Sequence, residues 1–592
     1  MSLIPSGLSV QEAYRRYRNG QIVVNRKYQR KLVWTQNEKR MLIDSILHEY
    51  PIPLILFAET QSEDGPVYEI LDGMQRLNAI FDFIENKFDF NGKFFDVNQL
   101  ARAKQLKDEG IIELSEQGDV LEEKSCANFL DYQLAVTSYQ VMSEETIIEV
   151  FGRINSSGKR LSNQERRQAG VTSKFSDVVR NISAEIRGDA TAESVLLYNM
   201  PEISIGSNRI NDTYGLKAES TFWVKQGVLA VQNLRDSEDE EMLADIVISV
   251  LFDKPFARSK ELLDDAYSSN SSLAVDIENA LMRYKKEKLI SDIKNTFSVL
   301  KNTIESVSNE DNFLRKTLYP DSRSPIKNAF YTLFMAFYNI LVKEDLSPCD
   351  NNRLFENLKN LQSKIKMSTH YTNIEDRKKN IALTEGLIRG TFVKKEPSSL
   401  NHGAGLALDF ENSIRRSKIE TPRYEFKQGF LRLSDDRKYD KELESQIIHT
   451  ICAMANIGPD SEGYIYIGVA DKEKDAERIK ILDGIEPMNI SNHFVVGVER
   501  EAIILGISVE NYCRKVLSII QESKLSKDLK IAVLTKIDII DYKGLTVIRI
   551  CVPKQDELSY CGEDIYIRQY NNTVKLETAK EILAVNKIFE QR

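Results

Sequence analysis

The spacing of hydrophobic and polar positions changes twice along the chain. In the first region, apolar runs at residues 53–59 and 67–71 predict two strands joined by the polar turn QSEDG. Apolar residues then recur every three or four positions, which predicts a helix over residues 74–86. The same spacing predicts a second helix over residues 144–154. Strands and helices therefore alternate in this region.

The middle region, from about residue 215 to 395, has helical spacing almost throughout, and residues 199–215 before it have the composition of a loop. The Ser-, Gly- and Pro-rich stretch EPSSLNHGAGLALD is typical of a linker. After it, GYIYIGVAD and LTVIRICVP predict strands and KELESQIIHTICAMAN predicts an amphipathic helix. We therefore predict a multidomain α+β protein with domains at residues 1–175, 176–400 and 401–592, the middle one all-helical and the last α/β.

Composition narrows the class of protein. With 592 residues, 42% of them hydrophobic and 29% charged, the chain has the composition of an ordinary globular protein with several domains. It contains no apolar run of about 18 residues and no secretory signal, so we expect a cytoplasmic protein without a membrane partner. Six scattered cysteines without C-x-x-C spacing predict reduced thiols.

The formal net charge of −9 argues against a protein that coats nucleic acid non-specifically. It leaves room for a local basic surface, for which the stretch YRRYRNGQIVVNRKYQRKLVW is a candidate. Such a run either faces phosphate or, more commonly, is a solvated face.

Three polar segments stand out in the first domain: KYQRKLVW, LDGMQRL and FGRINSSGKRLSNQE. Asp72 and Gly73 end a predicted strand, and Gln75 and Arg76 open a helix whose N-terminus suits phosphate. Arg76 adds a bidentate donor and Asp72 a ligand for magnesium. The alternative is helix capping, by Asp72 with Gln75 and by the capping box that begins at Ser162. Capping does not explain the first segment.

In this order, the three segments resemble the ParB-like, sulfiredoxin-fold domain at the head of GmrSD-type restriction enzymes and related phage-defence proteins. The resemblance covers residues 8–175 and implies a domain that binds and hydrolyses a nucleoside triphosphate, with Asp72, Gln75 and Arg76 as catalytic residues. Met74 is a departure, because the family usually has glutamine there. If that amide contacts nucleotide or water, we expect this domain to bind the nucleoside triphosphate without hydrolysing it. The nucleotide-binding residues implied are Gln29, Arg30, Asp72, Gly73, Gln75, Arg76, Arg153 and Asn155.

A second group of polar residues lies in the last domain. In IETPRYEFKQG, Glu425 and Lys427 are two positions apart, so on a strand they lie on the same face. Pro422 favours a bend that brings Glu420 towards Glu425, and Asp471 follows the strand in GYIYIGVADKE. Carboxylates that hold a hard cation beside a lysine suit metal-dependent phosphodiester cleavage. Taken alone, an E-x-K pair is more commonly a cross-strand ion pair.

The wider run of E….YEFK, ICAMANI…GYIYIGVAD and IYIRQYNNT resembles the Schlafen AlbA-type nucleic-acid-binding domain, over residues 415–580. In bacterial members this fold mostly implies nucleic-acid binding. In nucleolytic Schlafens, the acidic trio corresponds to Glu420, Glu425 and Asp471, with Lys427 alongside, and implies a bound Mg²⁺ or Mn²⁺. Arg568 matches the family's Y-x-R segment, which implies a phosphate contact. The insert IGPDSE departs from the family's tight loop.

Three further residues have alternative roles. His449 is more commonly a half-buried helix residue than a ligand. Tyr464 and Tyr466 alternate along one strand face, where they either stack on bases or, more commonly, pack against protein.

Two functions are consistent with these patterns. The first is an antiphage or restriction-type effector nuclease that binds or hydrolyses a nucleoside triphosphate and cuts RNA or DNA with Mg²⁺ or Mn²⁺. The second is a non-catalytic nucleic-acid-binding regulator with a nucleotide-sensing domain. The helical middle is a candidate surface for homo-oligomerisation.

Overall fold

The computed structural model describes residues 3–26, 32, 34–62, 65–108, 118–140, 162–168, 173–189, 194–206, 215–366, 373–394, 404–418 and 421–590. The chain forms two compact units, Met1–Lys394 and Lys395–Arg592. None of the helices in the described ranges is long and apolar enough to cross a membrane.

The N-terminal unit contains a mixed sheet that has six strands among the described residues. The strand pairs β1–β7, β3–β4 and β2–β8 are antiparallel, and β7–β3 and β4–β2 are parallel. The predicted hairpin is confirmed, with Ser62 opposite Gly65. In spatial order the strands are β1 (Leu3–Ser9), β7 (Gln133–Gln140), β3 (Ile55–Ser62), β4 (Gly65–Asp72), β2 (Ile22–Asn25) and β8 (Ser194–Leu196); β5 (Lys93–Phe94) and β6 (Asp119–Val120) form a separate pair.

The sheet extends past the predicted boundary at residue 175. Strand β8 comes from the segment assigned to the helical domain, yet it pairs with β2 through Val24 and Val195. The boundaries at residues 175 and 400 stay predictions, and the sheet and the helical region belong to the same compact unit.

The predicted helix after β4 is confirmed, and its apolar stripe forms part of the core. Leu77, Ile80, Phe81 and Ile84 are fully buried, and the ring of Phe81 stacks on Tyr17 with 4.3 Å between centroids. The predicted helix at residues 144–154 lies outside the described residues. The helices of this part are α1 (Val10–Arg18), α2 (Gln36–Leu47), α3 (Met74–Ile84), α4 (Ala101–Asp108), α5 (Glu123–Asp131), α6 (Asn163–Gln168) and α7 (Lys174–Arg187).

The helical spacing of the middle region is also confirmed. Its core includes Trp223, whose ring lies 5.3 Å from Phe330 and 5.9 Å from Phe297. The predicted loop over residues 199–215 is partly wrong, because it contains a short helix and a strand. The helices are α8 (Met200–Ile203), α9 (Phe222–Lys225), α10 (Val231–Arg235), α11 (Glu238–Leu251), α12 (Lys260–Tyr267), α13 (Ser272–Tyr284), α14 (Lys286–Val307), α15 (Phe313–Leu318), α16 (Lys327–Tyr338), α17 (Asn351–Leu358) and α18 (Ile374–Ile388), and the strands are β9 (Ile205–Gly206), β10 (Leu216–Lys217), β11 (Leu346–Pro348) and β12 (Phe392–Lys394).

The C-terminal unit has, in the described residues, a four-stranded sheet of order β13–β14–β19–β18, a three-stranded sheet of order β15–β17–β16 and the hairpin β20–β21. The strands are β13 (Tyr424–Lys427), β14 (Gly463–Ile467), β15 (Val469–Ala470), β16 (Met488–Ile490), β17 (His493–Val495), β18 (Ile537–Tyr542), β19 (Leu545–Val552), β20 (Tyr566–Gln569) and β21 (Asn572–Lys575). The helices are α19 (Ala404–Arg416), α20 (Lys441–Ala455), α21 (Glu473–Asp483), α22 (Glu499–Ile504), α23 (Val509–Glu522), α24 (Lys527–Leu534) and α25 (Ala579–Glu590).

The predicted strand GYIYIGVAD divides at Gly468 into β14 and β15, which lie in different sheets. Gly468 has φ +105°, and a Cβ there would lie 3.1 Å from the carbonyl oxygen of Thr546. Glycine is the residue that adopts this backbone without strain, so it permits the turn. The turn carries the chain from the main sheet to the small sheet just before Asp471.

The main sheet of this unit separates two apolar clusters. One face places Ile465 and Ile550 against Ile451 of α20 and Tyr512 of α23. The other face packs on α19.

The six cysteines are all free thiols, as the sequence predicts.

Candidate functional site

The pleat of β13 separates an apolar face from a polar one. Phe426 points towards the core and stacks on the buried Tyr466, with 5.6 Å between ring centroids. Because side chains alternate along a strand, Glu425 and Lys427 share the opposite face. The predicted common face of this pair is therefore confirmed.

Both carboxylate oxygens of Glu425 are paired with cations. Its Oε1 lies 2.7 Å from Nζ of Lys427, and its Oε2 lies 3.1 Å from Nη2 of Arg568. The Glu425 side chain is 18% exposed, while that of Arg568 is only 1% exposed. The carboxylate is thus half-enclosed and neutralised by two side chains.

Arg568 also holds the backbone around β13. Its guanidinium donates to the carbonyl oxygens of Pro422 (3.2 Å) and Tyr424 (3.4 Å) and to Oγ1 of Thr573 (3.1 Å). These bonds and its burial place Arg568 inside the fold. A phosphate contact by Arg568 stays a prediction, and it requires this side chain to leave Glu425.

Asp471 lies just after β15, at the edge of the small sheet. Its Oδ1 is 3.1 Å from Nε2 of His493, the first residue of the neighbouring β17. The hydrogen bond from His493 is the main reason that the pKa of Asp471 lies below its ordinary value, and the charges of Lys472 and Lys427 lower this pKa further. The carboxylate itself is 60% exposed.

His493 is a candidate site residue that the sequence reasoning missed. Its ring packs on Phe426 with 4.2 Å between centroids, and its Nδ1 is buried without a hydrogen-bond partner among the described residues. It lies in no motif, and the short strands that bring it to Asp471 give a weak periodic signal.

Lys427 connects the two carboxylates. Its side chain pairs with Glu425, and its backbone carbonyl accepts a hydrogen bond from the N–H of Gly468 at 2.8 Å, three residues before Asp471, so the two acids come from adjacent segments. Glu420 lies outside the described residues. Within the described ranges, no group of three His, Cys, Asp or Glu side chains is arranged to hold a metal ion. The predicted acidic trio therefore stays a prediction.

The packing alternatives are confirmed for the other residues considered. His449 stacks on Tyr566 with 4.2 Å between ring centroids, and burial lowers its pKa. Tyr464 stacks on Tyr424 at 5.6 Å, and Tyr466 is fully buried.

The second candidate site lies where β4 meets α3 in the N-terminal unit. Asp72 ends the strand, and Gly73, with φ +102°, is the N-cap of the helix. The alternative in which Asp72 caps this helix is therefore wrong. Arg76 donates from Nη2 to Oδ2 of Asp72 (2.7 Å) and to the carbonyl oxygen of Leu54 (3.1 Å). A helix N-terminus, a carboxylate and a guanidinium thus lie together.

Gln75 joins the first two sequence segments, because its Oε1 accepts a hydrogen bond from the backbone N–H of Trp34 at 3.3 Å. Met74 is only 4% exposed and belongs to the core. The capping box of Ser162 and Glu165 is confirmed by its two reciprocal hydrogen bonds. The predicted residues Gln29, Arg30, Arg153 and Asn155 lie outside the described residues.

The chain thus has two α/β parts, one with polar groups at a helix N-terminus and one with Glu425 and Asp471, each paired with a basic side chain, beside a sheet. Residues 10–171 match the family model of the GmrSD restriction endonuclease N-terminal domain, and residues 420–577 match that of Schlafen AlbA_2. No curated protein matches the chain. The predicted fusion of the two domains is confirmed, and the two matches support a restriction or phage-defence protein that binds nucleic acid.

Proposed function

We propose that the protein is a restriction-type effector whose C-terminal unit cuts RNA or DNA with the help of a divalent cation. One observation carries this proposal. Lys427 pairs with Glu425 at 2.7 Å, and its backbone carbonyl accepts a hydrogen bond from the N–H of Gly468, three residues before Asp471, so the two carboxylates come from adjacent segments. Two acids and a lysine in one polar region suit phosphodiester chemistry.

The donors fit a hard cation. Carboxylate oxygens are the ligands that Mg²⁺ and Mn²⁺ prefer, and Glu425, Asp471 and the predicted Glu420 would hold the ion. When bound, the cation would activate water and neutralise charge on the phosphate. Lys427 would stabilise the same charge, and His493 would orient Asp471 through their hydrogen bond.

A second function is favoured by the pairing of Glu425. Both of its oxygens already contact cations, so an incoming metal ion has to compete with Lys427 and Arg568. If these ion pairs persist, the C-terminal unit binds nucleic acid without cutting it. The protein is then a regulator whose N-terminal domain senses a nucleotide.

A cleavage assay separates the two functions. Labelled RNA, single-stranded DNA and duplex DNA are incubated with the protein and Mg²⁺ or Mn²⁺, with and without EDTA. We expect cutting by the wild type and none by the double variant Glu425→Gln, Asp471→Asn. The control is Asp435→Asn, whose carboxylate is 90% exposed and paired with Arg478. Continued cutting by the double variant contradicts the site. Salt-sensitive binding without cutting by the wild type establishes the second function.

We also propose that the N-terminal domain binds a nucleoside triphosphate at the start of α3. The helix N-terminus and Arg76 suit phosphate, and Asp72, which is 42% exposed, suits the accompanying Mg²⁺. Movement of Arg76 from Asp72 to a phosphate would release the carboxylate for the cation. The other residues of this proposal are Gly73, Gln75, Gln29, Arg30, Arg153 and Asn155.

Nucleotide binding is tested by titrating the protein with fluorescent nucleoside triphosphates. We expect Arg76→Gln to weaken binding by about tenfold or more, since a charge-assisted hydrogen bond contributes about 1.5–3 kcal/mol. The control Arg15→Gln removes an exposed guanidinium that pairs with Glu12 on α1. Equal affinity of wild type and Arg76→Gln contradicts this site. Measurement of phosphate release then shows whether bound nucleotide is hydrolysed.

A mass measurement in solution tests whether the protein forms a homo-oligomer, for which the helical middle region is the candidate surface.

A further inference from the structure

The hairpin β20–β21 ends in a strongly exposed aromatic residue. Gln569 pairs with Asn572, so the turn between them consists of Tyr570 and Asn571. Tyr570 is 83% exposed and has φ +55°. Its ring is therefore held in solvent at the tip of the turn.

Neither the turn nor the core accounts for a tyrosine here. Tight hairpin turns favour Gly, Asn or Asp where φ is positive, because a bulky side chain is strained in that region. An 83% exposed ring contributes little to packing. Strained residues with no structural benefit are concentrated at functional sites. We therefore expect the ring of Tyr570 to contact a partner outside the protein.

The neighbours of Tyr570 indicate what it contacts. Gln569, Asn571 and Asn572 are all exposed, so the tip offers an aromatic face among uncharged amides. Amides donate to and accept from base edges, and aromatic faces stack on bases, whereas phosphate is gripped mainly by cations. A base has such a face available only when it is unstacked, which favours a single strand over a duplex.

The base of the hairpin is attached to the candidate cleavage site. Arg568 lies two residues before Tyr570, about 7 Å along an extended strand, and pairs with Glu425. Thr573 on β21 accepts from Arg568, and its hydroxyl also lies 3.0 Å from that of Thr450. The hairpin is thus anchored at Arg568, whose side chain contacts Glu425 and which lies two residues from the tip.

We propose that Tyr570 stacks on an unpaired base of single-stranded nucleic acid and that the hairpin tip positions this strand beside Glu425. The inference rests on nucleic-acid binding by the C-terminal unit and does not require that the strand is cut.

Binding of the full-length protein to short labelled strands in EDTA tests the inference without cleavage. Single-stranded RNA, single-stranded DNA and duplex DNA of the same sequence are compared. We expect Tyr570→Gly to lower single-strand affinity by about five- to 150-fold, the range that corresponds to loss of one stacked base. Tyr570→Phe keeps the ring and should keep the affinity. The control Tyr560→Ala removes another exposed tyrosine, 50% exposed, from the same unit.

A folding measurement separates the stacking role from a structural one. Because glycine adopts positive φ without strain, Tyr570→Gly should melt at the same temperature as the wild type or above it. A lower melting temperature, or unchanged single-strand affinity, overturns the inference. Equal loss on duplex and single strand also overturns it, and loss confined to RNA or to DNA supports it and identifies the target.

This binding experiment and the cleavage assay together distinguish the inference from the proposed cleavage. Binding that depends on Tyr570 in a protein that cuts nothing supports the inference and contradicts cleavage. Cutting that depends on Glu425 and Asp471 but not on Tyr570 supports cleavage and contradicts the inference. A wild type that binds none of the strands in EDTA and cuts none of them with Mg²⁺ or Mn²⁺ overturns both.

Discussion

The Nη2 atom of Arg568 lies 3.1 Å from Oε2 of Glu425, and only 1% of the arginine side chain is exposed. The pair joins the C-terminal hairpin to the strand that carries the candidate carboxylate. Because Arg568 also donates to two backbone carbonyl groups near β13, it contributes to the position of Glu425 as well as to its charge.

Replacement of Arg568 tests this structural role. Arg568→Ala leaves Glu425 with one cation and two carbonyl groups without their donor, so we expect a loss of about 3 kcal/mol in the free energy of unfolding. Chemical denaturation of the full chain measures it. The control Arg514→Ala removes a 69% exposed partner of Glu510, and we expect a change below about 1 kcal/mol. Equal stability of the two variants would show that Arg568 is not structural.

The stability contribution of Asp471 should depend on pH. Its pKa is lowered in the folded protein, mainly by the hydrogen bond from His493. The contribution is therefore present above the unfolded pKa of about 4 and is lost as the pH falls through the lower folded value. We expect the difference in melting temperature between wild type and Asp471→Asn to be largest near neutral pH and to disappear in acid.

The matched control for this pH dependence is Asp435→Asn, at a carboxylate that is 90% exposed. His493→Ala should reduce the pH dependence assigned to Asp471, because it removes the main cause of the lowered pKa. A difference between wild type and Asp471→Asn that grows in acid has the wrong sign and contradicts this assignment.

Gly73 should tolerate no side chain. At φ +102°, a Cβ would lie 3.0 Å from Cγ1 of Ile55 and 3.3 Å from Nη2 of Arg76. We expect Gly73→Ala to cost about 3 kcal/mol from backbone strain and crowding together, and to weaken nucleotide binding. Gly65→Ala is the control, because Gly65 has φ +113° but nothing within 4 Å of an added Cβ, so it should show only the strain, about 1 kcal/mol. Similar losses in the two variants would exclude crowding at Gly73.

Met74 stands where the GmrSD-type family, which the N-terminal segments resemble, usually has glutamine. Its side chain is 4% exposed. Met74→Gln places an amide in the core, so we expect a loss of about 1–3 kcal/mol in the free energy of unfolding. Met74→Leu conserves shape and should cost less than about 1.5 kcal/mol. If Met74→Gln instead keeps its stability and hydrolyses nucleoside triphosphate faster, the amide faces the nucleotide and the methionine limits hydrolysis.

Local features of the sequence predicted much of the site. The alternation in YEFK placed Glu425 and Lys427 on one face, and the change of spacing at Asp72 and Gly73 located the junction of β4 and α3. Both depend on neighbours only a few positions away, and the period of apolar residues records such neighbours directly. The order of the motifs also predicted the two domains that the family models match.

The sequence by itself thus predicted helix α3, the helical spacing of the middle region, several strands with the faces of their side chains, and the pairing of two domain types, but it missed α8 and the start of α19, which lie in segments predicted as a loop and a linker. Only the tertiary structure placed His493 beside Asp471, Arg568 beside Glu425, and β8 beside β2. Each of these contacts depends on which strands become neighbours in a sheet. Strand order is fixed by how the whole core packs, and the local period of apolar residues carries no record of it.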